Sequence, residues 1–342
     1  MQETAPRSPS GLRADAVFEG GGVKGIGLVG AVAEAERRGY TWVNLAGTSA
    51  GAMVAALLAA GYTGQELGAL FLELDYRRFL DPSPIDRIPV AGPVLSLLCD
   101  NGIYQGRELE AWLDGLLAAR GVRRFGDLVV QEFADDPRYR FRLRVIASDL
   151  TLGRLLVLPQ DVSRYGYRPD DLSVAQAVRM SASIPFFYEP VVLPDRLRGD
   201  RSVIVDGGLL SNFPVWLFDS EGEGPPPWPT IGFKLVGPVE GQPRPIRGPV
   251  GLLAALFATM MEAHDTRYIE DEDFVRTVAI PTLVVGTVDF DLPRARAQRL
   301  FEAGHAAAAE FFERWDFDRY VAAFRSAGRA APRGRGRRLR GI

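Results

Sequence analysis

The sequence predicts an α/β fold built on a parallel sheet, and three observations carry the prediction. Two short apolar runs, residues 14–18 (ADAVF) and 42–45 (WVNL), each lead into a glycine-rich turn. Each turn is followed by a stretch of helical character, residues 23–38 and 52–60, stopped by Gly39 and Gly61. The resulting strand–helix–strand–helix order over the first 60 residues requires right-handed crossovers between parallel strands.

The remaining elements follow in chain order. Residues 1–13 are polar and expected to form a disordered tail. Residues 64–75 read as helix, and the proline-bearing stretch 80–106 reads as an irregular excursion or lid. Leu109, Trp112, Leu113, Leu116 and Leu117 share one side of a helix over 107–120. Strands are expected at 141–147 and 155–159, a helix at 173–180 ending before Pro185, and a strand at 202–205 (SVIV) that delivers Asp206. After a surface loop at 220–229 come strands at 230–235 and 282–286, with a long helix at 249–272 between them. A last helix spans 295–320, and residues 325–342 form a basic, disordered tail. No linker divides residues 14–324, which are read as one α/β domain.

Composition narrows the function. At 47% apolar and 24% charged residues, the 342-residue chain is neither disordered nor too small for a large core. The net charge of −3 hides an asymmetry: residues 325–342 carry seven arginines and no acid, which leaves the rest at −10. An acidic body argues against nucleic-acid binding. One cysteine, Cys99, excludes a disulfide framework and a cysteine-rich zinc site, and two histidines, His264 and His305, argue against a multi-histidine metal centre. The N-terminus has no apolar signal region, and the longest uncharged apolar run, 45–62, is broken by glycines and reads as a buried helix rather than a membrane span. The expected compartment is the cytoplasm.

Three motifs carry the chemistry. Gly47-Thr48-Ser49-Ala50-Gly51 lies between a predicted strand and a predicted helix. A serine there sits on a sharp turn with its hydroxyl exposed, and Gly47 and Gly51 leave room for that turn. Gly20-Gly21-Gly22-Val23-Lys24-Gly25 also follows a strand and opens a helix. It fits a dinucleotide fingerprint, but residues 40–46 offer no acid for a ribose. An oxyanion hole of consecutive glycine amides fits better. Asp206-Gly207-Gly208 ends the third segment. If its strand runs parallel to that of Ser49, Asp206 reaches the same sheet edge; the plainer reading is an aspartate capping a turn. Both histidines fall in predicted helices, so a Ser-His-Asp triad has no base at a strand end. Asp206 must then take the serine proton itself, forming a Ser49–Asp206 dyad.

In their order, GGGVKG, GTSAG and DGG, together with RMSASIP (179–185) and DGGLLSNFP, resemble the patatin-like phospholipase family over about residues 14–290. The resemblance implies a three-layer α/β/α sandwich with a mostly parallel central sheet. It also implies hydrolysis of lipid acyl esters without metal or cofactor. Ser49 would be the nucleophile and Asp206 the proton acceptor. Gly20, Gly21, Gly22 and Gly25 would form the anion-binding loop, with the amides of Gly21 and Gly22 nearest the oxyanion. Apolar segments 90–98, 186–188 and 252–261 are candidates for the lipid surface, each otherwise plain core. The basic tail suits peripheral contact with an anionic membrane. The rival function is a catalytically silent lipid-binding or scaffold protein on the same fold.

Overall fold

Alternation along the first strand sets the architecture. Ala14, Ala16 and Phe18 face the main core, while Val17 faces a smaller one on the other side of the sheet. A computed structural model describes residues 12–82, 102–219, 226–237, 271–283 and 285–325, with 246, 255, 256 and 259 besides. Its strands are β1 (Leu12–Phe18), β2 (Tyr40–Thr48), β3 (Gly102–Tyr104), β4 (Leu143–Asp149), β5 (Arg154–Leu158), β6 (Phe186–Tyr188), β7 (Val191–Pro194), β8 (Arg201–Asp206), β9 (Thr230–Val236) and β10 (Thr277–Pro281). The helices are α1 (Gly25–Arg37), α2 (Ala50–Ala59), α3 (Gly64–Glu73), α4 (Arg107–Ala119), α5 (Val174–Ser181), α6 (Asp271–Val275), α7 (Arg294–Arg314) and α8 (Phe317–Tyr320).

The main sheet has the order β10-β9-β1-β2-β4-β8-β7, with β5 also paired to β4. From β10 to β4 every pairing is parallel, as the strand–helix–strand reading requires. Beyond β4 the sheet turns antiparallel: β5 folds back on β4, and β7 and β8 form a hairpin whose second strand runs against β4. Helices flank the sheet. The larger core joins it to α1, α2, α4, α5 and α7, and the smaller packs Val17, Ala46 and Ile146 against Leu217 and Phe218 of the turn Val215–Phe218. Nearly every residue of α2 is buried because its sequence, AGAMVAALLA, offers no polar face. It has ten residues, and no described helix is long and apolar enough to cross a membrane.

Several sequence expectations change. The strand expected at 282–286 lies instead at β10, where Val278 and Ile280 are buried and pair with β9; Thr282 closes the ladder and Leu283 turns away at φ 49°. The helix expected over 295–320 is interrupted at Trp315, and Asp316 starts α8 by accepting the Arg319 amide at 2.8 Å. β3 and β6, not foreseen as strands, form a separate two-stranded parallel sheet. Most of 249–272 and of 80–106, including the segment 90–98, lies outside the described residues, as do both tails apart from residues 12, 13 and 325.

Candidate active site

β2 ends at Thr48 and α2 begins at Ala50, so Ser49 alone makes the turn, at φ 54° and ψ −124°. A non-glycine residue there is strained by about 1–3 kcal/mol. The flanking glycines let the turn close. A Cβ on Gly51 would overlap Phe18 O and stand 2.5 Å from Glu19 O, and one on Gly47 would stand 2.5 Å from Gly51 O. This strand–turn–helix elbow is a geometry that can present a nucleophile at a sheet edge, although Ser49 itself is almost fully buried.

Asp206 reaches that elbow from a direction the sequence reading did not foresee. β8 runs antiparallel to β4, so the premise of parallel strands is corrected. The location survives because β8 overlaps only the last residues of β4 and ends with Asp206 opposite Ala147, while Thr48 is paired with Ile146. Ser49 is 3% exposed and Asp206 fully buried. One carboxyl oxygen does cap a turn: Asp206 Oδ1 accepts the Gly208 amide at 2.8 Å. Oδ2 is buried with no hydrogen-bond partner of ordinary geometry among the described residues. Burial pushes the carboxyl from its ordinary 3.8 up to about 7, opposed by the Gly208 amide and by the Ser49 side chain beside it.

The glycine loop lies against the same elbow. A Cβ on Gly20 would stand 3.2 Å from Ser49 Cβ. The Gly20 amide is committed to Asn212 O at 3.2 Å, and the Gly25 amide to Gly22 O inside the helical turn. The amides of Gly21 and Gly22 have no acceptor among the described residues. Gly22 takes φ 58°, where a Cβ would overlap Thr287 O, and Thr287 O also accepts the Val23 amide at 3.2 Å. Asn212 clamps the loop by donating to Gly20 O at 3.3 Å, and buried Glu19 anchors its start through Lys234 Nζ at 2.8 Å. Gly207 packs so closely on β4 that a Cβ there would overlap Ile146 O.

Sequence reasoning missed the supporting polar groups. Ser181 Oγ accepts the Ser49 amide at 2.8 Å and donates to Ile146 O at 2.5 Å. Ser183 O accepts the Asp206 amide at 2.9 Å. Buried Arg179 donates to Ser183 Oγ, to Gln105 O and, at 2.8 Å, to Glu189 O. The available signal was three polar residues, Arg179, Ser181 and Ser183, at and just beyond the end of a short helix. His305 sits on α7 beside Glu34, 3.2 Å away, and takes no part in the site; His264 lies outside the described residues. Among the described residues no group of three or more His, Cys, Asp or Glu side chains gathers to hold a metal.

The profile of the patatin-like phospholipase family matches residues 16–219, which span the elbow, the glycine loop and the Asp-Gly-Gly turn. This chain belongs to the patatin-like phospholipase family. The patatin-like chain is 40% identical over 308 residues to the uncharacterized protein YqhO of Bacillus subtilis, covering 89% of this chain and 99% of that one. It is 22% identical over 199 residues to a protein of invertebrate iridescent virus 6 named as a probable lipid hydrolase, covering 58% of this chain and 61% of the viral one. Among solved structures it shares the fold of VipD from Legionella pneumophila, with a TM-score of 0.51 at 18% identity over 90% of this chain and 67% of VipD.

Proposed function

We propose that this patatin-like chain is a lipid acyl hydrolase that cleaves carboxylic esters through a Ser49–Asp206 dyad and an acyl-serine intermediate. One observation carries the reading: a serine held at φ 54° on a strand–helix elbow stands beside a fully buried aspartate, close enough that its side chain offsets part of the upward shift of that carboxyl. The Asp206 carboxylate takes the proton of Ser49 Oγ as that oxygen bonds to the ester carbonyl carbon. Negative charge then develops on the carbonyl oxygen, where the Gly21 and Gly22 amides receive it; each such donor is worth about 2.7–4 kcal/mol. Collapse of this intermediate breaks the ester C–O bond, and Asp206 returns the proton to the departing alcohol. Water attacks the acyl-serine, gives its proton to Asp206, and the fatty acid leaves as Ser49 recovers its hydrogen.

The surroundings suit an acyl chain. Ile184 packs with Phe187 and Leu209 next to the Asp206 turn, and Phe187 stacks on Phe290 at 5.2 Å. Of the three apolar segments expected to meet lipid, 186–188 is the one wholly within the described residues. The name of the viral relative, a probable lipid hydrolase, agrees with this reading. In this reading the seven arginines of 325–342 hold an anionic membrane surface.

The test is a panel of nitrophenyl esters and phospholipids with the wild type, Ser49→Ala and Asp206→Asn. Both variants are expected to lose at least about 10³-fold in kcat/KM, and a fluorophosphonate should label Ser49. Full turnover by Ser49→Ala overturns the dyad. Absence of both turnover and labelling in the wild type leaves a silent lipid-binding protein on this fold.

A further inference from the structure

The Ser49 backbone is one of three non-glycine residues with positive φ among the described residues. Gly47 and Gly51 leave room for that conformation, but room by itself holds nothing. The Ser49 carbonyl accepts the Met53 amide of α2 at 3.2 Å, while the Ser49 amide is held from 132 positions away, at the end of α5. A hydroxyl has one proton, and that of Ser181 is committed to Ile146 O at 2.5 Å. Its lone pair is therefore turned toward the Ser49 amide, 2.8 Å away. Ser181 is fully buried and Ser49 nearly so, so neither bond competes with bulk water.

Ile146 O also fixes the other half of the site. Gly207 packs against it with no space for a Cβ, and Asp206 pairs with the next residue of β4, Ala147. Two residues beyond Ser181, the Ser183 carbonyl takes the Asp206 amide at 2.9 Å. The end of α5 thus touches the main chain of both dyad members, with one serine for each.

We propose that Ser181 is a positioning residue: its hydroxyl ties the Ser49 amide to Ile146 O, so that nucleophile and base are registered to the same point on β4. The inference rests on the dyad reading above. It carries a corollary about the oxyanion. Because the Ser49 amide is spent on Ser181, it is withdrawn from the reaction centre, and the developing charge falls to the glycine loop. The neighbouring Ser183 hydroxyl has a different task, since it donates back to Arg179 O at 2.7 Å.

The experiment compares the full chain carrying Ser181→Ala, Ser181→Thr or Ser181→Cys with the wild type, Ser49→Ala and a remote core truncation, Leu117→Val in α4. Initial rates on a soluble nitrophenyl ester are measured against pH, with thermal midpoints alongside. Ser181→Ala is expected to lower kcat by about 10²-fold while KM stays within about threefold, because the nucleophile is misplaced and the substrate contacts are kept. The pH midpoint of kcat should stay near that of the wild type, since burial and the Gly208 amide, the larger influences on Asp206, are kept. Ser181→Thr, which restores the hydroxyl, should recover activity to within about tenfold of the wild type. If Ser181→Ala does not fold, Ser181→Cys, of similar size but a weak acceptor, takes its place with the same expectation. A kcat within about threefold of the wild type for the hydroxyl-less variant overturns the proposal. So does an equal loss of kcat in a Leu117→Val protein of matched thermal midpoint. Full activity of Ser49→Ala instead refutes the dyad itself, which separates that failure from failure of the tether.

Discussion

In the proposed dyad, the pH dependence of hydrolysis is set by where Asp206 sits. Its carboxyl is fully buried, gains one amide from Gly208 at 2.8 Å, and is pushed by that burial from 3.8 to about 7. In the proposed dyad the base is the ionised form. With a midpoint near 7, its population is about 1% at pH 5, about 10% at pH 6 and about 90% at pH 8. Log kcat/KM is therefore expected to climb about one decade per pH unit from 5 to 7 and to level off above 8. An ordinary exposed carboxylate, already ionised at pH 5, would give a flat profile over the same range. Initial rates on a short-chain nitrophenyl ester, read at the isosbestic wavelength of nitrophenol, measure the profile. The same shift has a sign for stability. The folded state holds this proton more tightly than the unfolded chain does, so the stabilisation is complete below about pH 4 and is lost as pH rises through about 7. At pH 8 the ionised, buried carboxylate costs on the order of 4 kcal/mol relative to an unperturbed one. Asp206→Asn should therefore be nearly inactive yet more heat-stable than the wild type at pH 8, with the difference shrinking toward pH 5. A rate profile that is flat from pH 5 to 8, or an Asp206→Asn protein with more than about a tenth of wild-type activity, refutes Asp206 as the base.

Three other substitutions probe separate parts of the structure. Gly51→Ala drives a Cβ into Phe18 O and is expected to cost about 2–4 kcal/mol and abolish fluorophosphonate labelling; a thermal midpoint within about 2 °C of the wild type contradicts the packing. Asn212→Ala removes the 3.3 Å bond to Gly20 O and should lower kcat/KM about tenfold through a loosened anion loop, leaving the pH midpoint in place; unchanged kinetics would show that the loop needs no clamp. Asp15, buried in the middle of β1 where it accepts the Asn44 amide at 3.0 Å, is also raised to about 7, chiefly by burial. Asp15→Asn should remove part of the loss of stability between pH 5 and 8 without altering the activity profile, as thermal melts and rates across that range would show.

What the sequence made legible is what steric necessity makes local. A strand that must turn into a helix within one residue needs small neighbours, so Gly47 and Gly51 announce the elbow around Ser49 in five letters. The glycine loop is legible for a related reason: Gly22 must take φ 58° against Thr287. The stretch TLVVG at 282–286 misled because β-branched residues fit a strand whether or not a partner strand is there. β9 instead pairs with TVAIP, five residues earlier, and Leu283 turns out of the sheet. The role of Ser181 was hard to read even within RMSASIP, because its meaning is a contact with a residue 132 positions away and its helix would form equally well without it.

Strand direction is the most instructive case. A short apolar run such as SVIV carries no mark of whether its neighbour runs with it or against it, and the assumption of parallel strands was wrong for β8. The structure brings Ser49 and Asp206 together nonetheless, because register decides where along β4 each comes to rest. In a parallel neighbour Asp206 would leave the sheet in the same direction as Ser49. In the antiparallel hairpin it arrives from beyond the edge and stops beside Ala147, one residue past the Ile146 that pairs with Thr48. That stop is enforced by Gly207, which lies too close to Ile146 O to admit any larger residue, and by the Ser183 carbonyl that takes the Asp206 amide. The Asp-Gly-Gly motif thus does two things at once: its aspartate supplies the carboxyl, and its first glycine fixes where along β4 that carboxyl comes to rest.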